Sequence, residues 1–113
     1  MRGLGLDLLE IARFTRLLTN TVFMERVFSE YERTYIESRR GRREETAAGL
    51  FCAKEAYLKA LGTGITSCRL CAVEVRHVPG GQPVLFENGE AVKNAHLSIT
   101  HTDTTAAAVV ALE

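Results

Sequence analysis

Phe51-Cys52-Ala53-Lys54-Glu55-Ala56-Tyr57-Leu58-Lys59-Ala60-Leu61-Gly62-Thr63-Gly64 reads as a helix that carries two lysines and a glutamate through apolar surroundings and stops at two glycines. Glu55 and Lys59 stand four apart and so share a helix face. Leu50, Ala53, Tyr57, Leu58 and Leu61 recur at helical spacing and are expected to face a core. Gly62 sits where a helix C-terminal cap belongs. A nearly buried helix that keeps a carboxylate and an ammonium group is either held by a salt bridge or built to hold charge for a ligand. As an exposed salt bridge, Glu55–Lys59 would be worth only ~0.3–0.5 kcal/mol.

Ahead of this helix, residues 3–9 alternate, with Leu4, Leu6 and Leu8 on one side and Gly3, Gly5 and Asp7 on the other. The pattern predicts a short strand with one greasy face. The opposite face is bare at two glycines, which in a strand often marks the close approach of a ligand or another backbone. Asp7 then either ends the strand or offers a carboxylate. Ile11 to Leu18 has a helical face of Ile11, Phe14, Leu17 and Leu18, with Glu10 and Arg13 outside it, and Val22 to Phe28 is a second apolar-periodic piece. Ser29 followed by Glu32 is a capping box, so a helix starts at residue 30, runs to about Arg39 and ends near Gly41. The central helix is then expected from about Glu44 to Leu61.

Beyond Gly64 the pattern turns to strands. Residues 72–78 alternate, Pro79-Gly80-Gly81-Gln82 is a turn, Pro83 to Phe86 is a short strand, and Glu87-Asn88-Gly89-Glu90 is another turn. Ala91 to Ala95 is expected to form one helical turn. His96 to His101 alternates again, with its two histidines on opposite faces, and His77 is expected at the surface of its strand. The segment Thr105 to Leu112 is almost wholly apolar and should be covered on both faces. One strand, then helices, then strands is the order of an α+β domain with an antiparallel sheet, here a single domain over residues 1–113.

The chain has 113 residues with 14 basic and 14 acidic groups, so a bulk electrostatic attraction to nucleic acid or a membrane surface is not expected. The only basic cluster, Arg39, Arg40, Arg42 and Arg43, belongs to a stretch where arginines and glutamates balance. It reads as a solvated, salt-bridged surface or as a docking patch for an acidic partner. No apolar run approaches the ~18 residues of a transmembrane helix, and Met1-Arg2-Gly3-Leu4 lacks a signal-peptide pattern. Three cysteines, an odd count, suit free thiols in the cytoplasm. A domain this small buries only about two thirds of its unfolded surface, which favours a site shared between subunits over a deep private cleft.

Cys68-x-x-Cys71 lacks the partner ligands of a zinc site, and Gly3-x-Gly5 and Gly62-x-Gly64 lack the third glycine of a dinucleotide loop. No Gly-x-Ser-x-Gly elbow marks a nucleophile. What remains is two isolated carboxylates in apolar settings, Asp7 and Glu55, with Lys59 and the Gly62-Thr63-Gly64 turn. Two carboxylates that leave positions open suit Mg²⁺ that also takes phosphate oxygens and water. Lys59 fits a phosphate as a point charge, and the turn's N–H groups could reach one. The residues alone point to Mg²⁺-dependent phosphate chemistry.

Three motifs in order carry a resemblance over the whole chain: Gly3-Leu4-Gly5-Leu6-Asp7-Leu8-Leu9-Glu10-Ile11-Ala12-Arg13, then Phe51 to Ile65, then Ser98-Ile99-Thr100-His101. The first resembles the opening motif of the small holo-[acyl-carrier-protein] synthases of the 4'-phosphopantetheinyl transferase superfamily, and the others are similar to that family's second and third signatures. The resemblance implies the family's fold, an N-terminal strand and helices packed on an antiparallel sheet. It implies Mg²⁺-dependent transfer of the 4'-phosphopantetheine arm of coenzyme A onto a serine of an apo acyl carrier protein, with 3',5'-ADP leaving. The partner then supplies the missing nucleophile. By the same resemblance Asp7 and Glu55 are the Mg²⁺ ligands, and Lys59 contacts phosphate and helps the leaving group. Gly62, Thr63, Gly64, Pro83 and His101 line the coenzyme A site, and Arg13 docks the acidic carrier protein. A homotrimer with interfacial sites is expected. The serine proton would pass to Glu55 or to a water on the metal beside Asp7. The family has Arg where this chain has Leu50, so that cation is lost or supplied from Arg42 or Arg43; Thr100 replaces a commoner Ser. Two competing expectations are a Mg²⁺-dependent nucleotide pyrophosphate hydrolase and a non-enzymatic scaffold that binds an acidic helix through residues 13 and 39–43.

Overall fold

The computed structural model of the chain describes residues 1–62 and 70–113. Its central helix, α4, spans Arg43–Leu61, one residue earlier than expected, with Glu44 and Glu45 in the first turn where the helix dipole favours acids. Gly62 closes it in the left-handed region at φ +77°. That conformation suits glycine because a Cβ would clash with the backbone. Leu50, Ala53, Tyr57 and Leu58 are buried as expected, and Leu61 is half-buried.

The first strand, β1 (Gly3–Glu10), lies along α4, and its glycine side faces the helix. A Cβ on Gly3 would lie 2.1 Å from the Ala60 carbonyl oxygen, and one on Gly5 1.8 Å from that of Ala56. Two strand residues cover roughly 6.8 Å and four helix residues roughly 6 Å. The Gly3/Gly5 and Ala60/Ala56 pairs can therefore meet in step. The glycines mark the approach of another backbone, one of the two alternatives their position allowed. Leu4, Leu6 and Leu8 point away from the core and are exposed. Gly5→Ala is expected to destabilise the fold by about 1–3 kcal/mol through overpacking, read as a fall in the thermal unfolding midpoint; an unchanged midpoint would contradict the close packing.

A 3₁₀ turn, Ile11–Arg13, leads to α1 (Phe14–Leu17) and α2 (Thr21–Val27), so the predicted single helix to Leu18 is divided. Asn20 caps α2, its side-chain oxygen accepting from the Phe23 N–H. The ring of Phe14 lies within 6.2 Å of those of Phe23, Phe28 and Phe51, which seats these short helices on α4. Helix α3 (Glu30–Ser38) begins with the predicted Ser29–Glu32 capping box. Glu32 does more than cap. Its Oε1 also receives Lys54 Nζ of α4 at 2.5 Å, and its Oε2 accepts the Val75 N–H at 2.8 Å. Lys54 Nζ also donates to the Val27 carbonyl at 2.5 Å.

The strands β2 (Val73–His77), β3 (Pro83–Glu87) and β4 (Glu90–Ala91) form one antiparallel sheet; β5 (Ala95–His101) and β6 (Thr105–Leu112) join β1 in a second, ordered β1-β6-β5. The architecture is α+β with antiparallel sheets. Two expectations fail here. Ala91 to Ala95 is not helical: Val92 N–H donates to Leu85 O, and Asn94 turns the chain at φ +59°, outside the helical region. Nor is β6 covered on both faces within the chain. Ala106, Ala108, Val110 and Leu112 are buried toward α4, whereas Val109, paired with Leu6, is exposed on the outer face. The physical reason is that α4 supplies a helical layer on one side of this sheet only.

Candidate active site

The packing of β1 under α4 determines where Asp7 goes. It follows Gly3 and Gly5 on the inward face, in mid-strand rather than at a strand end. Its Oδ1 accepts from Lys59 Nζ at 3.1 Å, and the same ammonium donates to the Leu6 carbonyl at 3.0 Å. Lys59 thus pairs with Asp7, not with its helix neighbour Glu55.

Glu55 is buried, and its Oε2 finds no hydrogen-bond partner. Burial raises its pKa, the Asp7 charge adds to the rise, and Lys59 pulls the other way. An orphaned carboxylate oxygen that feels a second carboxylate is a costly arrangement for the chain alone. A cation between the two would relieve it. Among the described residues no three His, Cys, Asp or Glu side chains gather as metal ligands. The donor set is therefore two carboxylates, all oxygen, which fits a hard divalent ion that draws its other ligands from water or phosphate. Beside Asp7, Cys52 is buried, its Sγ 3.6 Å from the Ala106 carbonyl. Burial, then the charge and hydrogen bonding of Asp7, push its thiol up to about 12. It stays protonated at neutral pH and is no thiolate nucleophile.

Pro83 and His101 meet elsewhere. They line a cavity of about 240 Å³ with Arg39, Arg42, Leu50 and the facing rings of Tyr35 and His77. His101 Nε2 is 2.9 Å from Glu45 Oε2. This cavity opens beside β5, whereas Asp7 is on β1, and these strands are the two opposite edges of their sheet. The structure thus gathers Asp7, Glu55 and Lys59 at one edge, and Pro83 with His101 at the other. Gly62 caps α4 one turn beyond Lys59. Thr63 and Gly64 lie outside the described residues, as does Cys68. Arg13 is exposed at the end of the 3₁₀ turn that follows β1.

Of the two cations expected to replace an arginine at position 50, Arg42 shares the cavity with Leu50, while Arg43 points away and pairs with Glu37 at 2.9 Å. The sequence reading missed Arg39, Tyr35, Glu45 and His77 as cavity residues. Only the basic cluster signalled one of these walls, Arg39, and nothing in the spacing marked Glu45. His77, expected at the surface, is half-buried: its ring stacks on Tyr35 at 4.1 Å, and its Nδ1 is enclosed.

A profile of the 4'-phosphopantetheinyl transferase superfamily matches residues 3–111. The chain belongs to that superfamily. It is 42% identical over 114 residues to a holo-[acyl-carrier-protein] synthase of Bacillus mycoides, covering 98% of this chain and 94% of that protein. It is 39% identical to one of Treponema denticola over 98% of this chain and 97% of the relative. Its fold superposes on the crystal structure of a holo-(acyl-carrier-protein) synthase from Bacillus anthracis in complex with CoA (3',5'-ADP). That match has a TM-score of 0.83 at 39% identity, over 96% of this chain and 93% of the other. The chain is thus an enzyme, a phosphopantetheinyl transferase of the holo-[acyl-carrier-protein] synthase type.

Proposed function

We propose that this enzyme moves the 4'-phosphopantetheine group of coenzyme A onto a serine hydroxyl of an apo acyl carrier protein in the cytoplasm, with Mg²⁺ as cofactor. The carrier's serine oxygen forms a bond to the phosphorus bearing pantetheine. The bond from that phosphorus to the bridging oxygen breaks with its electron pair going to 3',5'-ADP, which leaves, and the serine proton passes to Glu55 or to a water beside Asp7. The observation that carries this reading is the buried, unpartnered Glu55 Oε2 beside Asp7, with Lys59 against the same carboxylate.

Asp7 and Glu55 would hold the ion. When bound, it supplies charge neutralisation at the pyrophosphate oxygens. The ammonium of Lys59, fixed by Asp7 and the Leu6 carbonyl, stands ready to offset charge on the leaving phosphate. Arg13, exposed just past β1, is placed to meet an acidic carrier and orient its serine. Gly62, with the Thr63-Gly64 turn after it, and the Pro83–His101 cavity would hold the rest of coenzyme A. Mass spectrometry of an apo carrier protein incubated with the enzyme, coenzyme A and Mg²⁺ tests the reading directly. A gain of one phosphopantetheine is expected, and release of 3',5'-ADP without any carrier would instead favour a hydrolase.

The placement of the two site halves at opposite sheet edges supports a site completed between copies. The outer face supports the same conclusion. It carries Leu4, Leu6, Leu8 and Val109, each exposed, in paired rows on β1 and β6. Such an apolar strip marks an association surface, and a homotrimer with interfacial sites uses it. Leu6→Glu is expected to bring the particle to the 12.5 kDa single chain and to abolish transfer, read by light scattering and assay. A fully active wild-type monomer would refute the shared site.

A further inference from the structure

The contact between β1 and α4 continues past the two glycines. Gly3 meets Ala60 and Gly5 meets Ala56. The same step, two strand residues to four helix residues, brings Asp7 to Cys52. Cys52, Glu55 and Lys59 are spaced three and then four apart, so they form one stripe along α4. Asp7 faces this stripe: Lys59 binds its Oδ1 at 3.1 Å, and its charge is felt by both Glu55 and Cys52. Two members of the stripe have a part in the proposed reaction. The third, Cys52, has none.

Cys52 is fully buried, and its Sγ lies 3.6 Å from the Ala106 carbonyl oxygen. Ala106 pairs with Leu9, the next inward rung after Asp7 and Ala108. The sulfur is thereby pinned on the Leu9 side of Asp7, while the ammonium of Lys59, bound also to the Leu6 carbonyl, holds the other side. With Lys59 as its sole partner the carboxylate would turn toward the ammonium; a donor on the opposite side holds it between the two. The thiol is a weak donor whose acceptors are the Ala106 carbonyl and the Asp7 carboxylate. Because the thiol is neutral at pH 7, it adds no third negative charge to the pair. Among the described residues Cys52 does not gather with Asp7 and Glu55 as a set of three ligands, so it stands behind Asp7.

We infer that Cys52 is a positioning residue for the metal pair: its thiol braces the Asp7 carboxylate from behind and keeps it aimed at Glu55, so that both carboxylates meet one ion without rearrangement. Groups that orient a ligand in this way tune affinity without touching the ion. The inference rests on the proposed reading of Asp7 and Glu55 as Mg²⁺ ligands, and its test separates the two.

Wild type, Cys52→Ala, Cys52→Ser and Cys52→Val are compared in two measurements. One is the thermal unfolding midpoint as a function of Mg²⁺ concentration, without coenzyme A or carrier. The other is the Mg²⁺ concentration that half-saturates the rate of transfer. Cys52→Ala removes the donor and is expected to raise both Mg²⁺ requirements by about two- to tenfold, the worth of one ordinary hydrogen bond. Cys52→Ser keeps a donor and should stay close to wild type. Cys52→Val keeps the bulk without the donor and should behave like Cys52→Ala. A merely structural role would lower the metal-free midpoint and leave the Mg²⁺ requirement in place, and that result overturns the inference. So does a series in which Cys52→Ser needs no less Mg²⁺ than Cys52→Val, since packing would then set Asp7. In both cases the metal pair itself stands, provided that wild type responds to Mg²⁺. If neither the wild-type midpoint nor its rate responds to Mg²⁺, the reading of the metal pair falls, and this inference with it.

Discussion

Glu55→Gln is expected to cut turnover by a factor on the order of a hundred to a thousand, the scale seen when one preorganised charge-stabilising group is lost from a site. The substitution keeps the size and burial of the side chain while removing its charge, so the loss should appear with little change in fold. A second readout isolates the cation. Burial raises the Glu55 pKa above its ordinary 4.5, and the Asp7 charge adds to the rise. The cation-free folded chain therefore binds this proton more tightly than the unfolded chain does. That contribution to stability is fully present below about pH 4.5 and is lost as pH rises through the raised value. Mg²⁺ should restore it where the proton has left. The wild-type unfolding midpoint is thus expected to rise with Mg²⁺ at neutral pH and hardly at all in acid, and Glu55→Gln should flatten the difference. Full activity of this variant at limiting Mg²⁺ would sink the assignment of Glu55 as a ligand.

The second large effect concerns stability. Lys54 and Glu32 are both fully buried and in contact at 2.5 Å. Removing one partner of such a pair leaves the other charged and enclosed, a loss of about 3–5 kcal/mol. That is a large share of the roughly 5–15 kcal/mol that holds a domain of this kind together. Lys54→Met should therefore unfold at a much lower urea midpoint. Adding Glu32→Gln to it removes the stranded charge and keeps an acceptor for the Val75 N–H, so the double variant should recover part of the loss. The coupling energy from the four-member cycle is the deciding quantity; a value near zero would mean that the pair contributes nothing as a pair.

These two residues also show what the sequence could disclose. The helix, its glycine stop and the shared face of Glu55 and Lys59 follow from spacing, because an α-helix fixes neighbours three and four apart. Which charges meet across the fold does not. Lys59 answers Asp7 from 52 positions away, and Lys54 answers Glu32 from 22. The opening alternatives of salt bridge or ligand charge are thus divided between residues: Lys54 is held by a structural pair, while Glu55 is left with an open oxygen. Alternation likewise tells which β1 residues share a face without telling which face is inside. The leucines point outward because the inner face must be thin enough for α4. Nothing in the composition of Ala91–Ala95 forbids a helix; the Val92 N–H bonded to Leu85 O and the Asn94 backbone in the β4–β5 turn do. The Arg39–Tyr35–His77 tier was illegible because Tyr35 belongs to α3, Arg39 closes that helix and His77 ends β2, and only the packing of the helix on the strand brings them together.

The two glycines beneath α4 work as a gauge. The gap between a strand and a helix is normally filled by side chains, whose rotamers let the separation breathe. Here backbone rests on backbone at Gly3 and Gly5, and that stop is the hardest contact a protein can offer. Asp7 is the next inward position on the same strand, and Glu55 and Lys59 project from the helix on the other side of the stop. The distance between the two carboxylates is thus held to the tolerance of main-chain geometry. A chain of 113 residues, with little mass to brace a pocket from behind, keeps its aperture fixed by leaving two side chains out.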